Sequence, residues 1–114
     1  MIVEQSVGPV LEVARLDVRP GQEAAFERAI SAARPLIAAT PGFVSIEIRR
    51  CFETPSRYLL LVAWERLEDH MIGFRQSDRY AEWKALLHHF YDPFPVVEHY
   101  AAAQDLDAGD SARM

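Results

Sequence analysis

The sequence contains four histidines, whose imidazoles can bind a metal ion or transfer a proton near neutral pH. They are His70, His88, His89 and His99. His88 and His89 are adjacent on a predicted helix and therefore point about 100° apart, so they form no ready chelate. Neither an HExxH motif nor a Cys-His spacing typical of zinc sites is present. We therefore expect no metal, and a proton-transferring or structural role for each histidine.

Nucleophilic catalysis has little support in the sequence. Ser45, Ser56 and Ser77 lie outside any GxSxG context. Cys51 is the single cysteine, at the end of a predicted strand beside Phe52, and no neighbouring feature favours its thiolate. A lone cysteine also excludes an intramolecular disulfide and agrees with a cytoplasmic setting.

Aromatic side chains are numerous enough to stack on a planar ligand. The set comprises Tyr58, Phe74, Tyr80, Trp83, Phe90 and Tyr91. Residues of this kind more often simply fill a core. Their pattern is compatible with either role.

The composition is that of an ordinary soluble globular protein. Of 114 residues, 50% are hydrophobic and 25% are charged, and the formal net charge is -5. An acidic chain without a basic stripe argues against nucleic-acid binding. No uncharged apolar run is long enough to span a bilayer, and the N-terminus lacks the pattern of a secretory signal. We predict a cytoplasmic protein with no membrane or nucleic-acid partner.

Apolar patterning and turn residues predict four strands and two helical regions. The strands cover Val10–Val18, Phe43–Phe52, about Arg57–Glu65, and Val96–Ala102. Helical spacing predicts a helix over Glu23–Ala39, although Pro35 should kink or end it. A second helical region runs from about Leu67 to Tyr91, and Ser77 is placed to cap a new helix within it. The order β-α-β-β-α-β predicts an α+β, ferredoxin-like fold with an antiparallel four-stranded sheet.

The third strand is apolar on both faces, which is unusual for a strand of an antiparallel sheet. Tyr58, Leu60, Val62 and Trp64 alternate with Leu59, Leu61 and Ala63. Helices cover one face, and leaving a leucine of the other in water would forgo roughly 1.5–3 kcal/mol relative to full burial. The simplest cover is a second copy of the chain. We therefore predict a homodimer formed through the sheet face.

Five segments between about Val10 and Tyr100 form a recognisable combination: LEVARLDVRPGQEAAFE, PGFVSIEI, YLLLVAWERLEDH, FRQSDRYAEW and PVVEHY. With these segments the chain resembles the antibiotic biosynthesis monooxygenase family of dimeric α+β barrel proteins. The resemblance implies an N-terminal extension over residues 1–9, a family domain over residues 10–102 and a flexible tail over residues 103–114. It also implies two copies forming one barrel, with a pocket in each subunit between helices and sheet.

The resemblance further implies a function and residues that perform it. Oxygenating members act on electron-rich aromatics, such as phenols, quinols and anthrones, with dioxygen and no bound cofactor. Trp64 matches the Trp that ends strand three in much of the family, and His70 lies where an oxygenating relative carries a Tyr. A histidine there could accept a phenolic proton, so we take His70 and Trp64 as the catalytic residues. The predicted substrate-binding residues are Tyr58, Phe74, Trp83, His89 and Arg15. Arg15 would bind an anionic group, and the pattern does not show which face of the first strand it occupies.

Two other functions stay open. A non-catalytic dimeric module that binds a small molecule, or serves as a scaffold, would have a cavity filled by Trp64, Phe74 and Trp83, with His70 facing solvent. Haem degradation is disfavoured, because Lys84 stands where that branch of the family carries its haem-ligand histidine. His88 lies one turn beyond Lys84, so haem binding stays an alternative if the alignment shifts by one helical turn.

Overall fold

Four strands form one antiparallel sheet in the computed structural model, which describes residues 10–107. The strands are β1 (Val10–Asp17), β2 (Phe43–Arg50), β3 (Arg57–Trp64) and β4 (Val97–Tyr100), in the order β2-β3-β1-β4. This is the predicted ferredoxin-like topology, with β1 and β3 in the centre. Each strand lies within a predicted range, and the differences are confined to one or two residues at the ends.

The helices pack on one face of the sheet. They are α1 (Glu23–Ala38), a π-helical turn (Asp69–Phe74), α2 (Asp78–Leu87) and a 3₁₀ turn (His88–Phe90). Pro35 lies inside α1 without ending it. It is close to the C-terminus, where its missing N–H removes one hydrogen bond of the final turns.

The second helical region is divided in a way that spacing alone did not predict. A π-helical turn precedes α2, and Ser77 stands at the N-terminal boundary of α2. Its hydroxyl donates a hydrogen bond to the Phe74 carbonyl at 2.7 Å instead of capping α2. Ser77 therefore ties the start of α2 to the end of the π-helical turn.

The core lies between the sheet and the helices. From β3 it receives the predicted inward row of Tyr58, Leu60, Val62 and Trp64, all at most 5% exposed. From α1 it receives Phe26, Ile30, Ala33 and Ile37. On β1 the inward row contains Ala14 and Leu16, and also one acidic residue, Glu12. A carboxyl group in this row is the first indication of a polar site inside the core.

The opposite face of the sheet is mainly apolar along its centre and is not covered by the helices. Leu11 and Leu59 are each 38% exposed, and Tyr100 is 51% exposed. Leu59 pairs with Arg15 of β1, so Arg15 shares this outer face. The structure thus confirms that both faces of β3 are apolar and that the helices cover only one.

Outside these elements, residues 101–107 contain no helix or strand and are exposed. The predicted extension over residues 1–9 and the last part of the predicted tail, residues 108–114, lie outside the described residues. Within residues 10–107, no helix is both long and apolar enough to cross a membrane.

Candidate active site

A cavity of about 330 Å³ lies between the inner face of the sheet and the helices. Its aromatic wall is formed by Phe74, Tyr80, Trp83, His88, Tyr91 and Phe94. Glu12, His70 and Arg75 add polar groups, and aliphatic residues of β1, β3, β4 and α1, together with Pro95, complete the wall. An apolar concavity with a few convergent polar groups is the usual form of a small-molecule site.

Glu12 is the acid of this cavity. It lies on β1 opposite Val62 and His99, and is 5% exposed. Trp64 Nε1 donates a hydrogen bond of 2.9 Å to Glu12 Oε1. Burial disfavours the carboxylate and raises the pKa of Glu12 to about 7, although the Trp64 hydrogen bond and the Arg75 charge act in the opposite direction. Glu12 can therefore exchange a proton at neutral pH.

His70 lies beside Glu12, at the start of the π-helical turn, and is 3% exposed. Its ring stacks on Trp64, with 5.3 Å between centroids and 19° between planes. His70 Nε2 is 3.4 Å from Glu12 Oε1. Burial, together with the charges of Arg75 and His99, lowers the pKa of His70 to about 3. The ring is therefore neutral at physiological pH.

His99 continues this polar row away from the cavity. His70 Nδ1 and His99 Nε2 are 2.7 Å apart and share a hydrogen bond. Burial and the Arg75 charge lower the pKa of His99 as well, so both rings are neutral at pH 7. With two neutral rings, one nitrogen donates and the other accepts. Glu12, His70 and His99 thus lie side by side as a row of three ionisable side chains, with the hydrogen bond in this row between the two histidines.

Arg75 immediately follows the π-helical turn and contributes to the cavity wall. Its Nε is buried, and no hydrogen-bond partner for it exists within residues 10–107. Its guanidinium carbon lies 6.0 Å from the centre of the Tyr80 ring. The Arg75 charge lowers the pKa values of Glu12, His70, His88 and His99. Arg75 is therefore electrostatically coupled to the whole polar row.

The turn that carries His70 is held by the strand-connecting loops. Asp69 is 8% exposed and accepts hydrogen bonds from the Arg66 backbone N–H at 3.0 Å and from the Arg66 side chain at 3.1 Å. Gly42 has a φ of +92°, and a Cβ at this position would overlap the Asp69 carboxyl group. The backbone of Gly42 therefore passes directly against the residue that precedes His70.

Comparison with known proteins identifies the family to which this chain belongs. The family model described as "Antibiotic biosynthesis monooxygenase" matches residues 9–86, well over half of the chain. The chain belongs to this family. The antibiotic biosynthesis monooxygenase match includes Glu12, His70 and Arg75 and ends before His88 and His99.

Individual relatives agree with the family match. YczJ of Bacillus subtilis strain 168, a protein described as uncharacterised, is 50% identical over 91 residues, which are 80% of this chain and 96% of YczJ. A solved structure from Bordetella bronchiseptica, named as a candidate antibiotic biosynthesis monooxygenase, is 37% identical with a TM-score of 0.81. It covers 85% of this chain and 99% of its own.

A more distant structure shares the fold. SnoaB of Streptomyces nogalater, solved as the variant N63A, is described as a cofactor-independent oxygenase. It is 24% identical, with a TM-score of 0.67, and the match covers 88% of this chain and 98% of SnoaB. At this level of identity, SnoaB shows the antibiotic biosynthesis monooxygenase fold and no more.

The structure brings together four of the seven residues predicted for the site. His70, Phe74 and Trp83 line the cavity. Trp64 lies directly behind the wall, fully buried, and contacts the cavity through its hydrogen bond to Glu12 and its stacking on His70. Trp64 therefore supports Glu12 and His70 from behind and presents no surface to a ligand.

Three residues predicted to bind substrate lie elsewhere. The Tyr58 hydroxyl donates a 2.5 Å hydrogen bond to Glu27, away from the cavity. His89 is exposed and packs its ring on Phe90, because the 3₁₀ turn directs it outward while His88 lines the cavity. Arg15 lies on the outer face of the sheet, 3.4 Å from Asp17, because strand alternation places it opposite to Glu12.

Glu12, Arg75 and His88 were not among the predicted site residues. For Glu12 only a partial signal existed, since it shares a strand face with Ala14 and Leu16 while Arg15 shares the other face with Leu11 and Val13. Arg75 had no such signal, because its direction depends on the π-helical turn. Within residues 10–107, no group of three or more His, Cys, Asp or Glu side chains is arranged to hold a metal ion.

Proposed function

We propose that the protein is a cofactor-independent monooxygenase that acts on a small aromatic substrate such as a phenol, quinol or anthrone, in the cytoplasm. The observation that carries this proposal is the ionisable pair at the cavity wall. Glu12, whose pKa is about 7, lies beside neutral His70 in a cavity with an aromatic wall. A base with a pKa near the working pH is what proton abstraction requires.

Glu12 takes the role of base that the sequence had suggested for His70. A histidine with a pKa of about 3 is a weak base, whereas a carboxylate with a pKa of about 7 is half ionised at neutral pH. His70 then packs against the Glu12 carboxyl group at 3.4 Å and is itself held by the 2.7 Å hydrogen bond that it shares with His99. Trp64 fixes both groups through its hydrogen bond and its ring.

Removal of the proton produces an electron-rich substrate anion, which itself reduces dioxygen. For an anthrone, the balance is one anthrone and one O₂ giving one anthraquinone and one water. One oxygen atom becomes the new ketone oxygen, and the other leaves as water with the two hydrogens of the methylene carbon. The substrate supplies all four electrons, so the protein is required to bind, deprotonate and exclude water.

The alternative of a non-catalytic binding module is less favoured by this geometry. In that case the cavity would be filled by Trp64, Phe74 and Trp83, with His70 in solvent. Instead, about 330 Å³ remains open and His70 is buried against Glu12. The description of SnoaB as a cofactor-independent oxygenase adds support from a protein with the same fold.

The test is oxygen uptake by metal-free and flavin-free protein on a panel of quinols and anthrones. We expect uptake above the uncatalysed rate on at least one compound, and about a ten-fold or greater loss in His70→Gln. His89→Gln is the matched control, because His89 is exposed and outside the cavity. Uptake at the uncatalysed rate on every compound would contradict the oxygenase proposal. Equal loss in both variants would remove His70 from the mechanism.

We also propose that two copies of the chain pair through the outer face of the sheet. Leu59 is 38% exposed there, and Leu86, on the helical side of the molecule, is 39% exposed. Leu59→Glu is expected to convert a dimer into a monomer in light scattering, because a charge would be buried at the interface. Leu86→Glu, a change at equal exposure, should leave the dimer intact. A monomeric native protein, or a dimeric Leu59→Glu variant, would contradict this pairing.

A further inference from the structure

Arg75 gives the cavity a positive charge that lowers the pKa values of Glu12 and the nearby histidines but takes no other part in the proposed proton transfer. Among the described residues on the cavity wall, Glu12 and Arg75 are the ones with carboxyl or guanidinium groups. Glu12 is engaged with Trp64 and His70. The Arg75 guanidinium forms no ion pair within residues 10–107, and its buried Nε has no hydrogen-bond partner. A guanidinium stays protonated at physiological pH, so this charge is permanent.

A buried N–H group without an acceptor destabilises the folded protein, which indicates that a ligand atom accepts its hydrogen bond. The neighbouring groups point to the charge of that ligand. His70, His88 and His99 are neutral at pH 7, because burial and nearby cations hold their pKa values low. Lys84 is exposed and lies outside the cavity wall, but its charge, 5.2 Å from the Tyr80 ring that Arg75 also faces, lowers the pKa of His88 on that wall. Glu12 is the one acidic group on the described part of the wall and is half ionised at neutral pH, so the Arg75 charge leaves room for an anionic ligand.

The aromatic rings around Arg75 indicate that the anionic group of the ligand is attached to a planar ring system. Phe74 packs edge-on against both Tyr80 and Trp83, at centroid distances of 5.4 and 5.6 Å. Planar ligands fit against such rings by stacking or edge contacts. A volume of about 330 Å³ is near the lower end of ligand pockets and suits one to three fused rings.

We propose that the cavity binds an aromatic carboxylic acid, with the ionised carboxylate on Arg75 and the ring system against Phe74, Tyr80 and Trp83. This deepens the proposed function, since it names the substrate class of the same site. His70 and Arg75 lie at the two ends of the π-helical turn, joined by the 3.0 Å hydrogen bond from the Arg75 N–H to the His70 carbonyl. Because Arg75, His70 and Glu12 all line the cavity, an acid group held by Arg75 places the ring system in the same cavity as His70 and Glu12.

The test measures binding without turnover, using 1-naphthoate and its neutral isostere 1-naphthamide as probes. Titration calorimetry gives both Kd values for the native protein, Arg75→Gln, Arg75→Lys and the control Arg28→Gln, whose side chain is exposed on α1. We expect naphthoate to bind about ten-fold or more tightly than naphthamide to the native protein, because a hydrogen bond to a charged group is strong. Arg75→Gln should abolish that preference by weakening naphthoate alone.

Arg75→Lys and Arg28→Gln distinguish the effect of a positive charge at position 75 from the effect of the net charge of the protein. Arg75→Lys should retain part of the preference, and Arg28→Gln all of it. Equal affinity for the acid and the amide in the native protein, a preference that survives Arg75→Gln, or no binding of either probe would overturn the proposal. An intact acid preference in a protein without oxygen uptake would leave it standing and contradict the oxygenase function alone. Melting temperatures of the variants confirm that each is folded.

Discussion

Glu12→Gln is expected to lower the rate of oxygen uptake by a factor of roughly 10² to 10⁴ at pH 7.5, the usual contribution of a general base. Glutamine has nearly the same shape, and its amide oxygen can still accept the hydrogen bond that Trp64 Nε1 donates to Glu12. It cannot take a proton from the substrate. The measurement is the initial rate of oxygen uptake on the best substrate of the panel, for purified native and variant protein.

The matched control for this prediction is Glu82→Gln. Glu82 is an exposed residue of α2, so its substitution removes one negative charge without touching the cavity. We expect the rate of Glu82→Gln to stay within about two-fold of the native rate, as for a surface change far from the chemistry. A folded Glu12→Gln variant with a near-native rate would exclude Glu12 as the base.

Gly42→Ala is expected to produce the largest loss of stability among single substitutions near the site. Gly42 has a φ of +92°, a conformation that costs an L-residue roughly 1–2 kcal/mol. The added Cβ would also overlap Asp69, whose carboxyl group holds the Arg66 N–H at 3.0 Å. Together these effects should lower the free energy of unfolding by about 3 kcal/mol and the melting temperature by about 10 °C or more.

Gly21→Ala separates the two causes. Gly21 has a φ of +88°, but a Cβ there would meet no atom within 4 Å. Its substitution should therefore show the backbone cost alone, about half of the loss in Gly42→Ala. Calorimetric melting of the two variants provides the comparison. Equal losses would mean that Asp69 yields to the added methyl group at little cost, and that the turn before His70 is less tightly held than the packing indicates.

The fold followed from the sequence because its signals are local and repeat along each element. The alternation through β3 placed Tyr58, Leu60, Val62 and Trp64 inward, and they form the inner row observed. The π-helical turn was not predictable in this way, since it differs from an α-helix by one hydrogen-bond register and leaves the apolar spacing nearly unchanged. The direction of Arg75 depends on that register, so Arg75 could not be placed.

The site was only partly predictable for a related reason. His70, Phe74 and Trp83 were assigned to the cavity, and they line it. Arg15 and Glu12 lie three residues apart on β1, on opposite faces, and the pattern of β1 alone did not establish which face was buried. Once Ala14 and Leu16 are known to be inward, Glu12 must be inward and Arg15 outward. Arg15 shares its own face of β1 with Leu11 and Val13, so Glu12 could not be selected over Arg15 from the β1 sequence alone.

The central claim is that a buried carboxyl group, Glu12, deprotonates an aromatic substrate at neutral pH. Its most direct test is the dependence of oxygen uptake on pH between 5 and 9, corrected at each pH for the uncatalysed oxidation. Because the base acts when ionised, the native rate should rise with pH through an inflection near 7, the pKa of Glu12. This inflection should be absent in Glu12→Gln. A native profile without it, or the same inflection in Glu12→Gln, would contradict the claim.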